Sequence, residues 1–349
     1  MTTSTHPILG PVKLKPDNFT PPTRTPWGGE RIRSFYKSGL SLAPGPATVG
    51  ESWEVSVEPS FPSRCVRTGE PLSQLIAAAP IDWLGPAVAQ RYGGQTPLLV
   101  KLLDSADNLS VQVHPADGDP ELGPHESGKP ESWIVVDAEP GAGFYLGFRN
   151  GVEREDVRRC LTQGGHVQEL LNFVEVAPGD SFMIAAGTVH AIGAGVTLVE
   201  PQFVTPGRRG ITYRFWDWNR RYDADGNRSP AGVGRPLHIE RSMAVTTWDG
   251  PRGQSFVDQC RTTPVALGDG RERLVNWPWF EVQRWSGTRT FELRPGSMWA
   301  ATCVGGTATL HSQASKLMLR RGESAAIPAS ARLEVSLREA NLVVTRSRD

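Results

Sequence analysis

The 349-residue chain lacks most features that would announce a membrane, secreted or nucleic-acid-binding protein. No apolar run approaches the ~20 residues needed to cross a bilayer, and the opening MTTSTHPILGPVKLKP holds no apolar signal-peptide core. Its four cysteines, Cys65, Cys160, Cys260 and Cys303, lie far apart and form no CxxC pair. That spacing argues against a disulfide framework and against a thiolate zinc site. Basic and acidic residues balance at 37 each, so no global positive field gathers nucleic acid or anionic lipid. A cytoplasmic protein is expected, with neither nucleic acid nor membrane among its partners. Any metal must be held by imidazole, carboxylate and amide groups.

Glycine and proline, by contrast, are plentiful at 37 and 29, which suits short strands joined by frequent turns. The length exceeds one ordinary core and predicts more than one domain. GESWEVSVEP alternates apolar and polar residues as a strand does. LSQLIAAAPIDWLGPAVAQRY (72–92) reads as helix on either side of Pro80. Strands are expected at LLVKLLD, LSVQVHP, ESWIVVDA and GFYLGF, then helix at EREDVRRCL and HVQELL, then strands again to Trp216. From about Val275 a second series of short strands runs to the C-terminus. A faint long-range repeat links PGDSFMIAAGTVH (178–190) with RRGESAAIPASAR (320–332) through a Gly, five residues, then Ala or Pro. The expected fold is therefore dominated by β-structure, one sandwich or jelly-roll architecture used twice with a few short helices. The division is placed at residues 1–250 and 251–349.

SVQVHP (110–115) carries the strongest chemical signal. Residues i and i+2 of a strand face one side, so Gln112 and His114 point together, with Ser110 beside them. Glu131 follows His114 by 17 residues at the start of an apolar strand, and His190 follows Glu131 by 59. Two imidazoles, a carboxylate and an amide oxygen make a shell that suits zinc and also takes iron, manganese or cobalt. A weak amide ligand helps leave a position open for substrate.

The spacing Gly179, five residues, Ala185, Gly187, His190 fits the second sequence motif of the cupin barrel, with Ala where Pro is usual. From about Trp27 to Arg220 the chain resembles the type I mannose-6-phosphate isomerases in their shorter bacterial form. The resemblance is carried by WGG (27–29), GESWEVS (50–56), PLLVKLLDSADNLSVQVHP (97–115), GKPESWIVVDA (128–138), PGDSFMIAAGTVHAIGAG (178–195), LVEPQ (198–202) and ITYRFWDWNR (211–220). It implies two cupin barrels and one Zn²⁺ per chain, in the N-terminal barrel, on Gln112, His114, Glu131 and His190. The implied activity interconverts mannose 6-phosphate and fructose 6-phosphate through an enediol. Arg214 matches the family's catalytic arginine, and Lys129 a lysine that acts as base or substrate contact. Ser110 matches a serine near the substrate phosphate, and Glu200 falls among the implied substrate-binding residues.

Three departures stand out. Ser127-Gly128 replaces the Asn-His of larger members. PQFVTPGRRGITY is about four residues longer than the bacterial pattern between Glu200 and Arg214, and it adds Arg208 and Arg209. SAAIPASAR in the second repeat has no histidine, so the C-terminal cupin is expected to be metal-free. Two other classes stay open on the residues alone. A cupin oxygenase would use the same metal shell with iron. A non-catalytic sugar-binding or regulatory bicupin would keep the metal without turnover.

Overall fold

The computed structural model describes residues 9–313 and 315–348. Three antiparallel sheets form its frame. The first has five strands in the order Glu51–Val55, Leu98–Ser105, Val196–Phe203, Glu131–Ala138, Ser181–Ile184. The second is also five-stranded, in the order Tyr213–Trp216, Val111–Val113, His190–Ile192, Gly143–Phe148, Leu171–Glu175. The two lie face to face over an apolar seam in which Trp133 and Phe182 of the first sheet close on Phe144 of the second, at ring-centroid distances of 4.5 and 5.4 Å. Each such fully buried aromatic contributes roughly 1.5–3 kcal/mol. This is the expected jelly-roll arrangement, drawn as two facing sheets; among the described residues no strand-to-strand pairing closes them into continuous barrels.

The first sheet is covered on both sides. Leu98, Val100, Leu102, Val199 and Phe203 face away from the second sheet, into a core shared with Phe280, Val282, Met298 and Val343. Leu99, Lys101, Leu103, Glu200 and Gln202 alternate with them and face the second sheet. Two-sided burial explains why LLVKLLDS reads as an almost unbroken apolar run and why all eight of its residues are buried. It also leaves Lys101 as a charge enclosed in a core strand.

The third sheet holds the C-terminal strands, of which Phe280–Leu293, Trp299–His311 and Leu333–Ser347 are the longest. It curls on itself. Trp285 and Phe291 belong to one strand and would lie about 20 Å apart if it were straight, yet their ring centroids are 5.3 Å apart, across a bulge between Gly287 and Arg289. The N-terminal arm supplies Val12–Lys13 as an edge strand on Ser324–Ile327 of this sheet. Helix Gly253–Cys260 instead buries Val257 and Cys260 in the seam between the first two sheets.

All helices are short. The segment 72–92 breaks twice, giving Leu72–Ala78, Pro80–Leu84 and Pro86–Arg91, because each of the two prolines opens a new helix at its first position. The longest, Arg154–Thr162, begins where the Glu153 N–H donates to Asp156 Oδ2 at 2.9 Å. No described helix is long and apolar enough to cross a membrane.

Candidate active site and metal centre

Register assembles the site. Residues opposite one another in an antiparallel pair share a face. Gln112 pairs with His190 on one side and with Arg214 on the other. Glu131 pairs with Gln202, and Lys101 with both Glu200 and Trp53. The facing sides of the two sheets thus bring together residues spread over more than a hundred positions. The strand that carries Gln112 is only three residues long, Val111–Val113, and His114 lies just past its end.

His114, Glu131 and His190 are buried, and their ligating atoms lie within 4.8 Å of one another. His114 Nδ1 meets the Ile211 carbonyl and His190 Nδ1 the Thr188 carbonyl, each at 2.9 Å. A carbonyl oxygen only accepts, so both Nδ1 atoms carry the hydrogen and both Nε2 atoms present lone pairs. Those lone pairs aim at a carboxylate: His114 Nε2 is 3.4 Å from Glu131 Oε2 and His190 Nε2 is 3.5 Å from Glu131 Oε1. His114 Nε2 is buried with no hydrogen-bond partner among the described residues.

Protonation does not relieve this clustering. Burial, then the Lys129 charge, lowers the His114 pKa, and burial, then the His114 charge, lowers that of His190 to about 3. Burial raises Glu131, but the Lys129 charge and then the interaction with His114 outweigh it and hold the carboxyl well below its ordinary range. Two neutral imidazoles and a carboxylate converging while buried call for a divalent cation, and the donor set suits zinc. Gln112 has its Nε2 3.3 Å from His190 Nε2 and its Oε1 3.4 Å from Ser110 Oγ. As a ligand it would have to present the oxygen end instead.

A polar layer surrounds the cluster. Gln202 Nε2 donates to Glu131 Oε2 and Glu200 Oε2, both at 2.7 Å, and Trp133 Nε1 donates to Glu131 Oε1 and Glu200 Oε1 at 3.1 and 3.2 Å. Lys101 Nζ sits 3.5 Å from both Glu51 and Glu200. Burial and then the Glu131 charge push the Glu200 carboxyl up to about 8, against the opposing Lys101.

Above this floor opens a cavity of about 540 Å³, whose walls include Ser110, Gln112, Lys129, Glu200 and Arg214. Lys129 Nζ lies 3.4 Å from Glu131 Oε2. A Cβ on Gly210 would stand 2.9 Å from Lys129 Cδ, so glycine there gives the lysine room to extend. Arg214 donates from Nη1 to the Pro236 carbonyl at 2.9 Å, while its buried Nε has no partner. Burial, then the nearby Arg235 charge, lowers its pKa to about 10. The longer 203–210 loop is stitched down by Arg209–Gly210 pairing in parallel with Glu126–Ser127, and Arg209 meets Glu126 at 3.2 Å.

The structure thus brings all eight singled-out residues, Ser110, Gln112, His114, Lys129, Glu131, His190, Glu200 and Arg214, to one cavity or its floor. It adds Lys101, Gln202, Arg235 and His238, which lie outside the candidate residues of the sequence. A lone lysine inside the apolar PLLVKLLD was the available signal for Lys101. Gln202 shares a strand face with Glu200 by two-residue spacing. Arg235 and His238 lie in an irregular stretch with no periodicity to mark them.

The family model of the phosphomannose isomerase type I catalytic domain matches residues 23–142. The mannose-6-phosphate isomerase of Streptococcus mutans is 30% identical over 310 residues, which cover 86% of this chain and 88% of that protein. The crystal structure of the Bacillus subtilis mannose 6-phosphate isomerase matches with a TM-score of 0.78 at 24% identity, over 97% of this chain and 100% of that one. A crystal structure of a mannose 6-phosphate isomerase bound with zinc and yttrium matches with a TM-score of 0.73 at 18% identity, over 98% and 100%. Both structural likenesses extend over the two halves of the chain.

Proposed function

The chain belongs to the mannose-6-phosphate isomerase family, and from that premise we propose that it interconverts mannose 6-phosphate and fructose 6-phosphate. The observation that carries the reading is the buried His114–Glu131–His190 cluster at the floor of a cavity that Lys129 and Arg214 also enter.

We assign one zinc ion per chain to Gln112, His114, Glu131 and His190; bound there, it supplies Lewis acidity toward the sugar oxygens. The remaining chemistry belongs to side chains. Isomerisation takes a proton from C2 and returns one to C1, while a proton passes from O2 to O1. Lys129 is assigned to the sugar's reacting edge, either in that proton transfer or as a substrate contact. Arg214 is assigned to the negative oxygen of the enediolate, a fixed cation facing charge that exists only along the reaction path. Its orphaned Nε and depressed pKa fit a guanidinium awaiting an anion. Ser110 and Glu200, which both line the cavity, are assigned to substrate binding.

We also propose the division of labour at residue 250, with a metal-holding N-terminal unit, onto which helix Gly253–Cys260 packs back, and a metal-free C-terminal unit. The four free thiols suit a reducing compartment, and we place the enzyme in the cytoplasm.

A coupled assay on mannose 6-phosphate, with glucose 6-phosphate and unphosphorylated mannose alongside, tests the activity. Turnover of mannose 6-phosphate alone is expected; a zinc-loaded protein inert on all three would reject the reading. Lys129→Ala separates its two roles, because loss of a base lowers kcat whereas loss of an anchor mainly raises KM.

A further inference from the structure

The two ends of the cavity differ in charge. At one end lie Glu51, Glu58 and Glu200, with Lys101 shared between Glu51 and Glu200. Arg24 stands there too, its guanidinium against the rings of Trp53 and Phe61 at 5.1 and 5.0 Å. At the other end four guanidiniums, Arg214, Arg220, Arg228 and Arg235, gather around two carboxylates, Asp107 and Asp217. Arg220 is buried and spent on Asp107, Asp217 and the Asn108 carbonyl. Arg228 turns to Asp107. Four guanidiniums outnumber two carboxylates, so this end carries net positive charge, and of the four Arg214 and Arg235 line the cavity.

Arg235 is held as a built anion receptor is held. Asp217 takes its Nε at 2.7 Å and its Nη2 at 2.6 Å, a bidentate pair that fixes the plane of the guanidinium. Nη1 has no hydrogen-bond partner among the described residues. The Tyr222 ring lies 5.7 Å below the group. Burial raises Asp217, but the hydrogen bond and charge of Arg235 prevail and keep it ionised, so the clamp persists across neutral pH.

Position supports the same use. Gln112 stands over the metal-ligand cluster, and Ser110 lies one pleat repeat, about 7 Å, along the strand, immediately after the 107–109 turn to which Arg220 is tied. Arg214 lies opposite Gln112 and Trp216 opposite Val111, so Asp217, which holds Arg235, follows at the Ser110 end, and an open-chain sugar with its reacting carbons at the cluster would point its far terminus that way.

We propose that Arg235, held by Asp217, is the group that selects a phosphorylated substrate by binding its phosphate. Asp217 acts as its positioning residue. This assignment rests on the sugar-phosphate reading of the cavity.

The test uses zinc-loaded enzyme and inorganic phosphate as the probe. In R235M, KM for mannose 6-phosphate and the phosphate inhibition constant should rise together, by about 10–100-fold, the scale of one charge-assisted hydrogen-bonded contact. Preference for mannose 6-phosphate over mannose in kcat/KM should fall by the same factor, with zinc content retained. R235K, which keeps the charge but not the fork, should fall between wild type and R235M. R24M, at the acidic end, should leave phosphate inhibition at the wild-type value. Unchanged phosphate inhibition in both Arg235 variants, or its loss in R24M instead, would overturn the assignment. Should the wild type turn over no hexose phosphate, the isomerase reading fails by itself. Calorimetric binding of inorganic phosphate then decides on Arg235: binding lost in R235M and weakened in R235K supports the receptor, and binding that is absent or indifferent to Arg235 rejects it.

Discussion

One turn appears twice in this chain with two different consequences. In the N-terminal unit Gly179 N–H donates to the Val135 carbonyl, Val135 N–H to Asp180, and Asp180 Oδ2 accepts from Ala177 N–H. In the C-terminal unit Gly322 N–H donates to Cys303, Cys303 N–H to Glu323, and Glu323 Oε2 accepts from Arg320 N–H. Both glycines have positive φ, 100° and 83°, as such a turn requires. Ser181–Ile184 and Ser324–Ile327 then follow as matching four-residue strands.

Reading outward from those strands superposes the two units by register. Ile184 pairs with Glu131 where Ile327 pairs with Trp299. Six residues on, His190 pairs with Gln112 where Leu333 pairs with Leu293. Three assigned ligand positions, Glu131, His190 and Gln112, are thus Trp299, Leu333 and Leu293 in the second unit, and all three are buried in its apolar core. The same backbone either encloses lone pairs that need a cation or fills the space with hydrocarbon. Seen this way, the second unit is what the first becomes when packing replaces coordination.

The largest effect should come from breaking the coordinating unit. His114→Ala combined with His190→Ala should release zinc and abolish turnover, since the ligands that remain include a weak amide. Elemental analysis and the coupled assay read this directly, and full zinc in the double variant would dismiss the site. Next, Arg214→Ala should keep its zinc yet lose about 10²–10³-fold in kcat, with a smaller change in KM, as befits a charge used in the transition state. A near-normal kcat would remove Arg214 from the reaction.

The third test exchanges the logic of the two units. Leu333→Ala should cost about 2–5 kcal/mol in urea unfolding through the cavity it leaves, while zinc content and kcat stay at wild-type values. His190→Leu should do the reverse. It should fold with stability no lower than the metal-free wild type, because a clustered polar group is replaced by one of similar bulk, but without zinc or activity. A His190→Leu protein that unfolds would mean that the imidazole supports the sandwich itself.

The smallest effect is a difference in titration. Glu200 is pushed up from its ordinary 4.5 to about 8, so its folded-state proton stabilises the metal-free protein below about 4.5, and that stability is lost as pH rises through about 8. Urea unfolding of metal-free protein across this window should show the decline, and Glu200→Gln should flatten it. An unaltered slope in Glu200→Gln would place the titration elsewhere.

Much of the site was legible because its parts are local. Gln112 and His114 follow from two-residue strand spacing, and Glu131 and His190 each open a strand, the first behind Gly128 and Pro130 and the second behind Gly187. The break at Gly85–Pro86 lies beyond the expectation of helix on either side of Pro80, because a second proline opens a further helix within the same apolar stretch. The 203–210 loop gave two arginines without a destination, and only its pairing with Glu126–Ser127 showed Arg209 tied down at the cavity rim.

By itself the sequence determined the strand-rich class, the repeated turn and the identity of the buried donors, since these depend on residue type and on neighbours a few positions away. Tertiary structure decided the rest. It set which nitrogen of each imidazole faces the cluster, because that depends on the Ile211 and Thr188 carbonyls brought in from other segments. It set the raised Glu200 carboxyl, which needs burial beside Glu131. It set the free arm of Arg235, which exists only because Asp217, 18 residues away, occupies the other two nitrogens. Charge, burial and register act through space, and spacing along a chain does not encode them.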